Sequence, residues 1–393
     1  MRAATSTVIL GAGFGGIVAA NTLRSLVPKS HRITMVDSSA AFTFGLEKTW
    51  VAIGEATSRS AVHSLVPLEA RGIDVLRATV TSIDARARKV ITTRGELLAD
   101  YLVIALGADT NMAAIPGLER AAHTFYTLEG AIAMRDAMER FAGGDVVLLI
   151  PRSPFKCPPG PYEGMFLIHD YFKRRGLADK CKFRVYTVEG SPMATAGPDI
   201  GKFVVEELGA RGIEFHPQRK AVSVDHVQKT IRFEEGPSAR FDLLIAIPPH
   251  EAPKVVKDAG LTNASGWIPA DPKNLAVSGY QNVYAIGDVA VVQLPGRFKP
   301  ESPLVLPKAG IFAAAHGRVA ARHIAAKILG KKSGEEFDGK GFCYIEMGDM
   351  HAVKGEGFFF NLPHPVMARR VPDMTQYQEK KAWVEGWLRE NLS

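Results

Sequence analysis

The chain has 393 residues, which at about 100 to 200 residues per domain is too long for one small binding module and sufficient for two or three domains. Lys and Arg number 48 and Asp and Glu 41, and this net charge of +7, without a polybasic run, argues against a nucleic-acid-binding protein. The 46% hydrophobic and 23% charged content is ordinary for a globular protein, and three cysteines exclude both a disulfide scaffold and a four-cysteine zinc site.

The N-terminus shows no export signal and the chain shows no membrane span. A predicted apolar strand, Val8–Leu10, leaves no room before it for a charged segment, an apolar stretch and a cleavage site. No apolar run reaches the roughly 18 to 20 uncharged residues that cross a bilayer. We therefore expect a cytoplasmic protein or one that associates peripherally with a membrane.

A G-x-G-x-x-G turn, a helix and a second strand are predicted directly after this first strand. They comprise Gly11, Gly13 and Gly16, the helix 17–26, and the strand 32–36 with Asp37 at its end. The first glycine permits a tight turn, the second lets a pyrophosphate approach the backbone, and the third lets helix and strand pack closely. The phosphates then lie at the positive end of the helix, and the acid accepts a hydrogen bond from a ribose hydroxyl. The pattern predicts a Rossmann-like dinucleotide-binding domain.

Two later segments point to the same nucleotide site. The strand that begins at Tyr101 ends in a turn at Gly107, and the strand that begins at Asn282 ends in Gly287 and Asp288. A chain that closes around one dinucleotide from both ends resembles the flavoproteins with two dinucleotide-binding domains. The resemblance implies that FAD is the cofactor, with the following contacts: Gly11, Gly13, Gly16, Asp37, Gly107, Gly287, Asp288 and, through its backbone, Val80.

A second dinucleotide-type domain is predicted within the first. It has a strand at 145–150, but the residues that follow it contain several prolines and no glycine turn, so they lack the backbone donors that a pyrophosphate needs. We interpret it as a degenerate domain that has lost nicotinamide binding. The predicted α/β organisation is an FAD domain (1–110 and 255–325), the degenerate domain (111–254) and a C-terminal α+β segment (326–393).

Cys157 is the first candidate for chemistry. It precedes a predicted helix in which Pro161 suits the first position, Glu163 the first turn and Gly176 the end. A sulfur outside a helix N-terminus is expected to have a lowered pKa and to react as the thiolate. The alternative is a small buried apolar residue, the usual role of a lone cysteine.

Four segments of the chain resemble the sulfide dehydrogenase flavoproteins, that is, the sulfide:quinone oxidoreductases and the flavin subunit of flavocytochrome c sulfide dehydrogenase. They are Cys-Pro-Pro-Gly-Pro-Tyr-Glu at 157–163, Ile-Pro-Pro at 247–249, Tyr-Ala-Ile-Gly-Asp at 284–288 and Leu-Pro-Lys-Ala-Gly at 306–310. The resemblance implies a redox pair of Cys157 and Cys343 facing the flavin, a small sulfur substrate and a quinone-like acceptor, with no metal. The third cysteine of the quinone branch is absent from 123–129, which makes the pattern more like the two-cysteine flavocytochrome subunit.

Two further residues are predicted to assist this chemistry. Glu163 is a candidate proton acceptor, with a helix-dipole role as the alternative. Lys308 precedes a predicted helix at 310–328, and together with that N-terminus it is expected to stabilise negative charge on reduced flavin, unless it is a surface cation. Cys181 opens a strand elsewhere and is interpreted as a bystander.

The C-terminal stretch, Met374–Leu392, has its tryptophans and lysines at helical spacing. Such a helix either lies on an anionic membrane, bringing a lipid quinone near the apolar patch 358–360, or packs on its own domain or a second subunit of a homo-oligomer.

Two rival functions also remain at this point. One is a type II NADH:quinone dehydrogenase, which would need the missing glycine loop, and the other is a flavin-bearing disulfide redox sensor.

Overall fold

The computed structural model describes residues 5–393, so residues 1–4, which form part of the export-signal prediction, lie outside the described residues. Its helices in chain order are α1 (Phe14–Leu26), α2 (Gly45–Ala52), α3 (Val66–Ala70), α4 (Leu118–Ala121), α5 (Leu128–Arg140), α6 (Gly160–Arg174), α7 (Pro198–Ala210), α8 (Lys254–Asp258), α9 (Gly310–Ile328) and α10 (Met374–Leu392).

The strands are short except in the C-terminal segment. In chain order they are β1 (Ser6–Leu10), β2 (Arg32–Asp37), β3 (Ala41–Thr43), β4 (Val62–Ser64), β5 (Asp74–Arg77), β6 (Val80–Asp84), β7 (Lys89–Thr92), β8 (Gly95–Leu98), β9 (Tyr101–Ile104), β10 (Asp109–Thr110), β11 (Gly144–Ile150), β12 (Cys181–Thr187), β13 (Glu214–His216), β14 (Ala221–Asp225), β15 (Thr230–Phe233), β16 (Ala239–Arg240), β17 (Leu243–Ala246), β18 (His250–Glu251), β19 (Ile268–Pro269), β20 (Val283–Ala285), β21 (Ala290–Val291), β22 (Lys340–Gly348), β23 (His351–Phe358) and β24 (Val366–Arg369).

The first parallel sheet has the strand order β20-β9-β1-β2-β5. Its central strands are buried on both faces, as expected for a parallel sheet covered by helices. Helices α1 and α9 pack closely at two glycines. A Cβ added at Gly317 of α9 would lie only 2.3 Å from the carbonyl oxygen of Gly15 in α1. This sheet joins the N-terminal part of the chain to β20, nearly 280 residues later, as the strand and turn pattern predicts.

The second parallel sheet has the order β13-β12-β11-β17. The strands β10 and β18 form an antiparallel pair outside the two parallel sheets, with Asp109 opposite Glu251. The predicted class, two Rossmann-like units with a C-terminal α+β segment, is confirmed.

The C-terminal segment is an antiparallel sheet, β22-β23-β24, followed by α10. Helix α10 packs on its own chain: the Trp387 ring lies 4.8 Å from that of Phe14, 5.2 Å from Phe42 and 5.5 Å from Phe44. Lys380 on the same helix is completely buried. Of the two arrangements considered for this helix, the structure therefore shows intramolecular packing. Among residues 5–393 no helix combines the length and the apolar content that a bilayer crossing requires.

Candidate active site

One cavity of about 710 Å³ runs between the glycine turn after β1 and the two cysteines. Its volume is within the range of about 300 to 1,000 Å³ common for cofactor and ligand sites. All predicted site residues except Gly16 and Lys308 line it, namely Gly11, Gly13, Asp37, Val80, Gly107, Cys157, Glu163, Gly287, Asp288 and Cys343. Residues far apart in the sequence therefore meet in one chamber.

The glycine turn has the geometry that a pyrophosphate needs. A Cβ added at Gly13 would meet no protein atom within 4 Å, so this position opens directly on the cavity. Gly11 has a φ of +103° and a Cβ there would lie 2.3 Å from the oxygen of Ala105. A Cβ at Gly16 would lie 1.9 Å from the Gly11 oxygen, which explains why Gly16 serves helix packing without lining the cavity.

Two carboxylates lie on the cavity wall. Asp37 accepts hydrogen bonds from the backbone N–H groups of Ala12 (2.7 Å) and Ser39 (2.8 Å), which ties the end of β2 to the glycine turn. Asp288 is different, because its Oδ1 is buried without any hydrogen-bond partner in the protein. A buried polar atom without a partner is costly, and a ligand hydroxyl would satisfy it. This orphaned oxygen, together with the open Gly13, fits a bound dinucleotide.

The two cysteines line the cavity as free thiols. Cys157 has a φ of +58°, a left-handed conformation that a non-glycine residue adopts only when its surroundings enforce it. Its N–H donates to the carbonyl oxygen of Lys308 (2.7 Å), and its own carbonyl accepts from Gly160 (2.7 Å). These bonds fix the sulfur at the start of α6, as predicted.

The predicted lowering of the Cys157 pKa is wrong. Burial raises the pKa of the Cys157 thiol to about 12, with further upward contributions from Glu163 and Cys343, and these outweigh the opposing effect of Lys380. Burial likewise raises the pKa of Cys343 to about 12. Both groups are therefore thiols at neutral pH, so any redox step at the pair needs a proton acceptor.

Glu163 is in a position to be that acceptor. It lies in the first turn of α6, is buried and lines the same cavity as both sulfurs. Its carboxylate binds the ammonium group of Lys380 at 2.8 Å and the backbone N–H of Glu346 at 2.9 Å. Lys380 and Glu346 could not be recognised from the sequence, since no short-range pattern connects them to Glu163.

Lys308, predicted to stabilise negative charge on reduced flavin, is hydrogen-bonded to the loop that carries Asp288. Its ammonium group donates to the carbonyl oxygens of Asp288 (2.5 Å) and Ala290 (3.2 Å) and lies 3.4 Å from the Trp267 ring centroid. Lys308 lines a second, smaller cavity of about 210 Å³ instead of the larger one. Because its own carbonyl holds Cys157, Lys308 ties the loop of Asp288 to the cysteine turn.

Cys181 lies at the start of a strand of the second domain, and Glu189 lies just beyond the end of the same strand. Cys181 begins β12 and lines neither cavity. The acid at the end of that strand, Glu189, accepts a hydrogen bond from the hydroxyl of Tyr162 at 2.7 Å. No group of three His, Cys, Asp or Glu side chains suited to a metal occurs within residues 5–393.

Comparison with known proteins shows which families this chain resembles. Residues 5–148 match the family described as pyridine nucleotide-disulphide oxidoreductase, and residues 132–248 match the central region of the sulfide dehydrogenase (flavocytochrome c) flavoprotein chain. The sulfide-quinone reductase of Aquifex aeolicus is 26% identical over 92% of this chain and 84% of its own length. The chain is thus similar to the sulfide:quinone oxidoreductases and to the flavoprotein chain of flavocytochrome c sulfide dehydrogenase.

Other comparisons agree with the fold of this flavoprotein. The crystal structure of the Aquifex aeolicus sulfide:quinone oxidoreductase has a TM-score of 0.89, with 21% identity, over 98% of this chain and 91% of that one. The mitochondrial sulfide:quinone oxidoreductase of Mus musculus is 24% identical over 72% of this chain, a match that spans 64% of the mouse protein. A type II NADH:quinone oxidoreductase of Staphylococcus aureus is 23% identical over 91% of this chain and 90% of its own.

The similarity extends over both predicted dinucleotide-binding domains. It agrees with FAD as the cofactor and with a flavin-dependent oxidoreductase as the class of protein. The orphaned Asp288 oxygen and the open face of Gly13 are consistent with this cofactor.

Proposed function

We propose that this flavoprotein oxidises sulfide, or a related small sulfur species, through Cys157 and Cys343 and passes the electrons by way of FAD to a quinone-like acceptor. The observation that carries the proposal is that both sulfurs line one cavity together with the predicted FAD-binding residues other than Gly16 and Lys308. The activities for which the mouse and Aquifex relatives are named support it.

The cysteines supply a sulfur relay. In the oxidised enzyme, hydrosulfide forms a bond to one sulfur of a Cys157–Cys343 disulfide, the disulfide breaks, and a persulfide and a thiolate result. A second hydrosulfide takes the outer sulfur as disulfane and leaves two reduced cysteines. Oxidation of the two cysteines then re-forms the disulfide and releases two electrons and the remaining protons. FAD, when bound, would supply the acceptor for these two electrons.

Glu163 handles a proton in this cycle. The high pKa of both thiols means that they must lose protons as they are oxidised, and an ionised carboxylate beside them accepts one. The buried position of Glu163, at the first turn of α6 and within the cavity, supports this role. The N-terminus of α9, whose residues Gly310 and Ile311 line the cavity, favours negative charge nearby when the cofactor is reduced.

The rival reaction, oxidation of NADH, finds less support in the second domain. The turn after β11 carries Pro151, Pro154, Pro158 and Pro159, which have no backbone N–H to offer a phosphate. Glu189, placed where a ribose-binding acid would be expected, is already bonded to Tyr162. The overall similarity to the Staphylococcus aureus enzyme nevertheless makes NADH the necessary control substrate.

An anaerobic titration of the FAD-bound protein tests the proposal. We expect sulfide to bleach the flavin absorbance and NADH not to. Cys157→Ser and Cys343→Ser should each slow this reduction by more than about 10³-fold, as for loss of one member of a catalytic unit, while Cys181→Ser is the matched control and should leave it unchanged. Flavin reduction by NADH alone would refute the assignment, and reduction by sulfide that survives both serine variants would refute the cysteine relay.

Peripheral contact with a membrane is part of the proposal, because a lipid-soluble quinone is met at a membrane surface. The hairpin of β23 and β24 exposes Phe358, Leu362 and Val366, and the Lys340 ammonium lies 5.8 Å from the Phe358 ring centroid. An apolar tip with adjacent positive charge suits an anionic bilayer. We expect the protein to float with anionic vesicles and the Leu362→Asp variant to remain in the soluble fraction. Equal flotation of both proteins would contradict this contact.

A further inference from the structure

Three charged side chains from distant parts of the chain form a closed cluster beside the sulfur pair. The ammonium group of Lys380 lies 2.8 Å from Oε2 of Glu163 and 2.9 Å from Oε1 of Glu346. The exposed fraction of these side chains is 0% for Lys380, 3% for Glu163 and 1% for Glu346. The cluster connects α6, which follows Cys157, with β22, which carries Cys343, and with α10. We refer to these three residues as the buried triad.

Each carboxylate of the buried triad also accepts a hydrogen bond from an N–H group of the protein. The backbone N–H of Glu346 donates to Oε2 of Glu163 at 2.9 Å, and the indole N–H of Trp50 donates to Oε1 of Glu346 at 2.8 Å. The geometry of each carboxylate is therefore fixed by two elements other than its own. Glu163 cannot turn away from the cavity without breaking bonds to both β22 and α10.

The charges of the triad do not cancel. Two carboxylates share one ammonium group, which leaves one net negative charge in a region without solvent, an expensive arrangement unless one carboxylate holds a proton. Burial raises the pKa of Glu163 against the pull of Lys380, and Glu346 adds to the rise. Burial also acts to raise the pKa of Glu346, but Lys380, Lys381 and Trp50 together lower it. Of the two carboxylates, Glu163 is therefore the one that takes up a proton more readily, and it is the member of the triad that lines the cavity of both sulfurs.

We propose that Lys380 and Glu346 are positioning residues that fix Glu163 beside Cys157 and Cys343 as the carrier of a single exchangeable proton. This proposal rests on the proposed function for the use of that proton, and it makes α10 a part of the redox site. When a thiol is oxidised its proton moves to the ionised Glu163, and the loss of that proton to solvent resets the triad. The other titratable groups that face Glu163 are Tyr126, from the segment before α5, and Lys381, from α10.

A purely structural role for the triad predicts a different response to substitution. Lys380→Met removes the cation, so Glu163 should keep its proton to a pH at least about one unit higher, a tenfold change in proton affinity. Glu346→Gln removes the competing carboxylate but keeps an oxygen for Trp50 and Lys380, so Glu163 should lose its proton at a pH lower by a similar amount. Shifts of opposite sign from two members of one cluster follow from charge and not from general loosening of the fold.

Infrared spectroscopy of the FAD-bound protein as a function of pH is the direct test. The carboxylic acid C=O band of Glu163 is the one that Glu163→Gln removes, and its titration reports the proton without any turnover. In a Cys181→Ser background, the pH dependence of alkylation by iodoacetamide gives a second readout at Cys157 and Cys343. The matched control is Lys381→Met, because Lys381 is the next residue of α10, contacts the Trp50 ring at 3.3 Å and has no carboxylate within 4.0 Å.

The outcomes separate clearly. The proposal requires an upward shift in Lys380→Met, a downward shift in Glu346→Gln and a smaller shift in Lys381→Met. If Lys380→Met does not fold, the direction of the Glu346→Gln shift decides alone. A missing titrating band, shifts in the same direction, or an equal effect of Lys381→Met would overturn it. Because these measurements need no sulfide, failure of sulfide to reduce the flavin refutes the proposed function and leaves the triad assignment standing.

Discussion

Replacement of Gly13 by alanine separates the glycine turn's role in the fold from its role in cofactor binding. Gly13 has a φ of −85°, which alanine adopts without strain, and the new Cβ would meet no protein atom within 4 Å. Reduced freedom of the unfolded chain stabilises such a variant by about 0.4 to 1 kcal/mol. Alanine is a poorer N-cap of α1 than glycine, at a cost of about 0.5 to 1 kcal/mol. The two effects offset, so the cofactor-free protein should change in unfolding free energy by less than about 1 kcal/mol.

The same methyl group points into the cavity, where the pyrophosphate of FAD is expected to approach the backbone. Crowding a close-packed contact costs about 1 to 3 kcal/mol, which corresponds to a loss of affinity of roughly 5- to 150-fold. Quenching of flavin fluorescence on titration of the cofactor-free protein measures this loss, and thermal unfolding with and without saturating FAD measures stability. The matched control is Gly16→Ala, whose Cβ would lie 1.9 Å from the Gly11 oxygen and should destabilise the fold itself.

The reasoning fails if the Gly13→Ala protein binds FAD with unchanged affinity. It also fails if, without FAD, the variant is destabilised as much as Gly16→Ala. The first result would mean that the phosphates do not lie against the open face of Gly13, and the second that Gly13 itself is needed for the fold.

Three further predictions concern burial and charge. Trp387→Ala should lower the unfolding free energy by about 3 to 5 kcal/mol through loss of the contacts with Phe14, Phe42 and Phe44. The control Glu385→Ala, at an exposed position of the same helix, should change it by less than about 0.5 kcal/mol. Similar urea midpoints for both variants would contradict this prediction. Burial lowers the pKa of His316 from 6.5 to about 3. Between these pH values the unfolded chain binds more protons than the folded one, so the free energy of unfolding falls as the pH falls. At about 1.4 kcal/mol per pKa unit, the loss is up to about 5 kcal/mol. His316→Gln should flatten this acid limb in urea unfolding series, and an unchanged slope would refute the assignment. Asp288→Asn should weaken FAD binding at least about tenfold, because the amide oxygen is an uncharged and weaker acceptor than the carboxylate and the new NH2 group brings a donor to this buried site. A calorimetric titration that shows equal affinity would exclude this contact.

Features set by neighbours in sequence could be predicted, and those set by the tertiary fold could not. The glycine turn, α9 at 310–328 and α10 at 374–392 follow from local periodicity and capping residues, and the structure has these helices where they were predicted. The cavity-facing positions of Cys157 and Cys343 followed only from a family resemblance. No pattern in the sequence relates Cys343 to Cys157 by itself.

The error in the Cys157 pKa has a tertiary origin. The pKa was predicted from the place of Cys157 before a helix, a local effect, whereas burial dominates and acts in the opposite direction. Lys308 was predicted to act on the flavin from its position before α9, and only the structure shows that its ammonium group donates to the carbonyl groups of Asp288 and Ala290. Lys380 and Glu346 of the buried triad lie 217 and 183 positions from Glu163, so only the folded chain brings them to it.

The contact between Trp387 and Phe14 carries a consequence for biosynthesis. These residues are separated by 373 positions, so the aromatic face of the glycine-turn region stays uncovered on the ribosome until α10 has been made. Ribosome-bound chains that stop before α10 should therefore show this surface to chaperones. Contacts of such long range are also slow to form, because loop closure must come before any packing gain. FAD loading should accordingly be a late, post-translational event, with the nascent chain depending on chaperones until α10 docks.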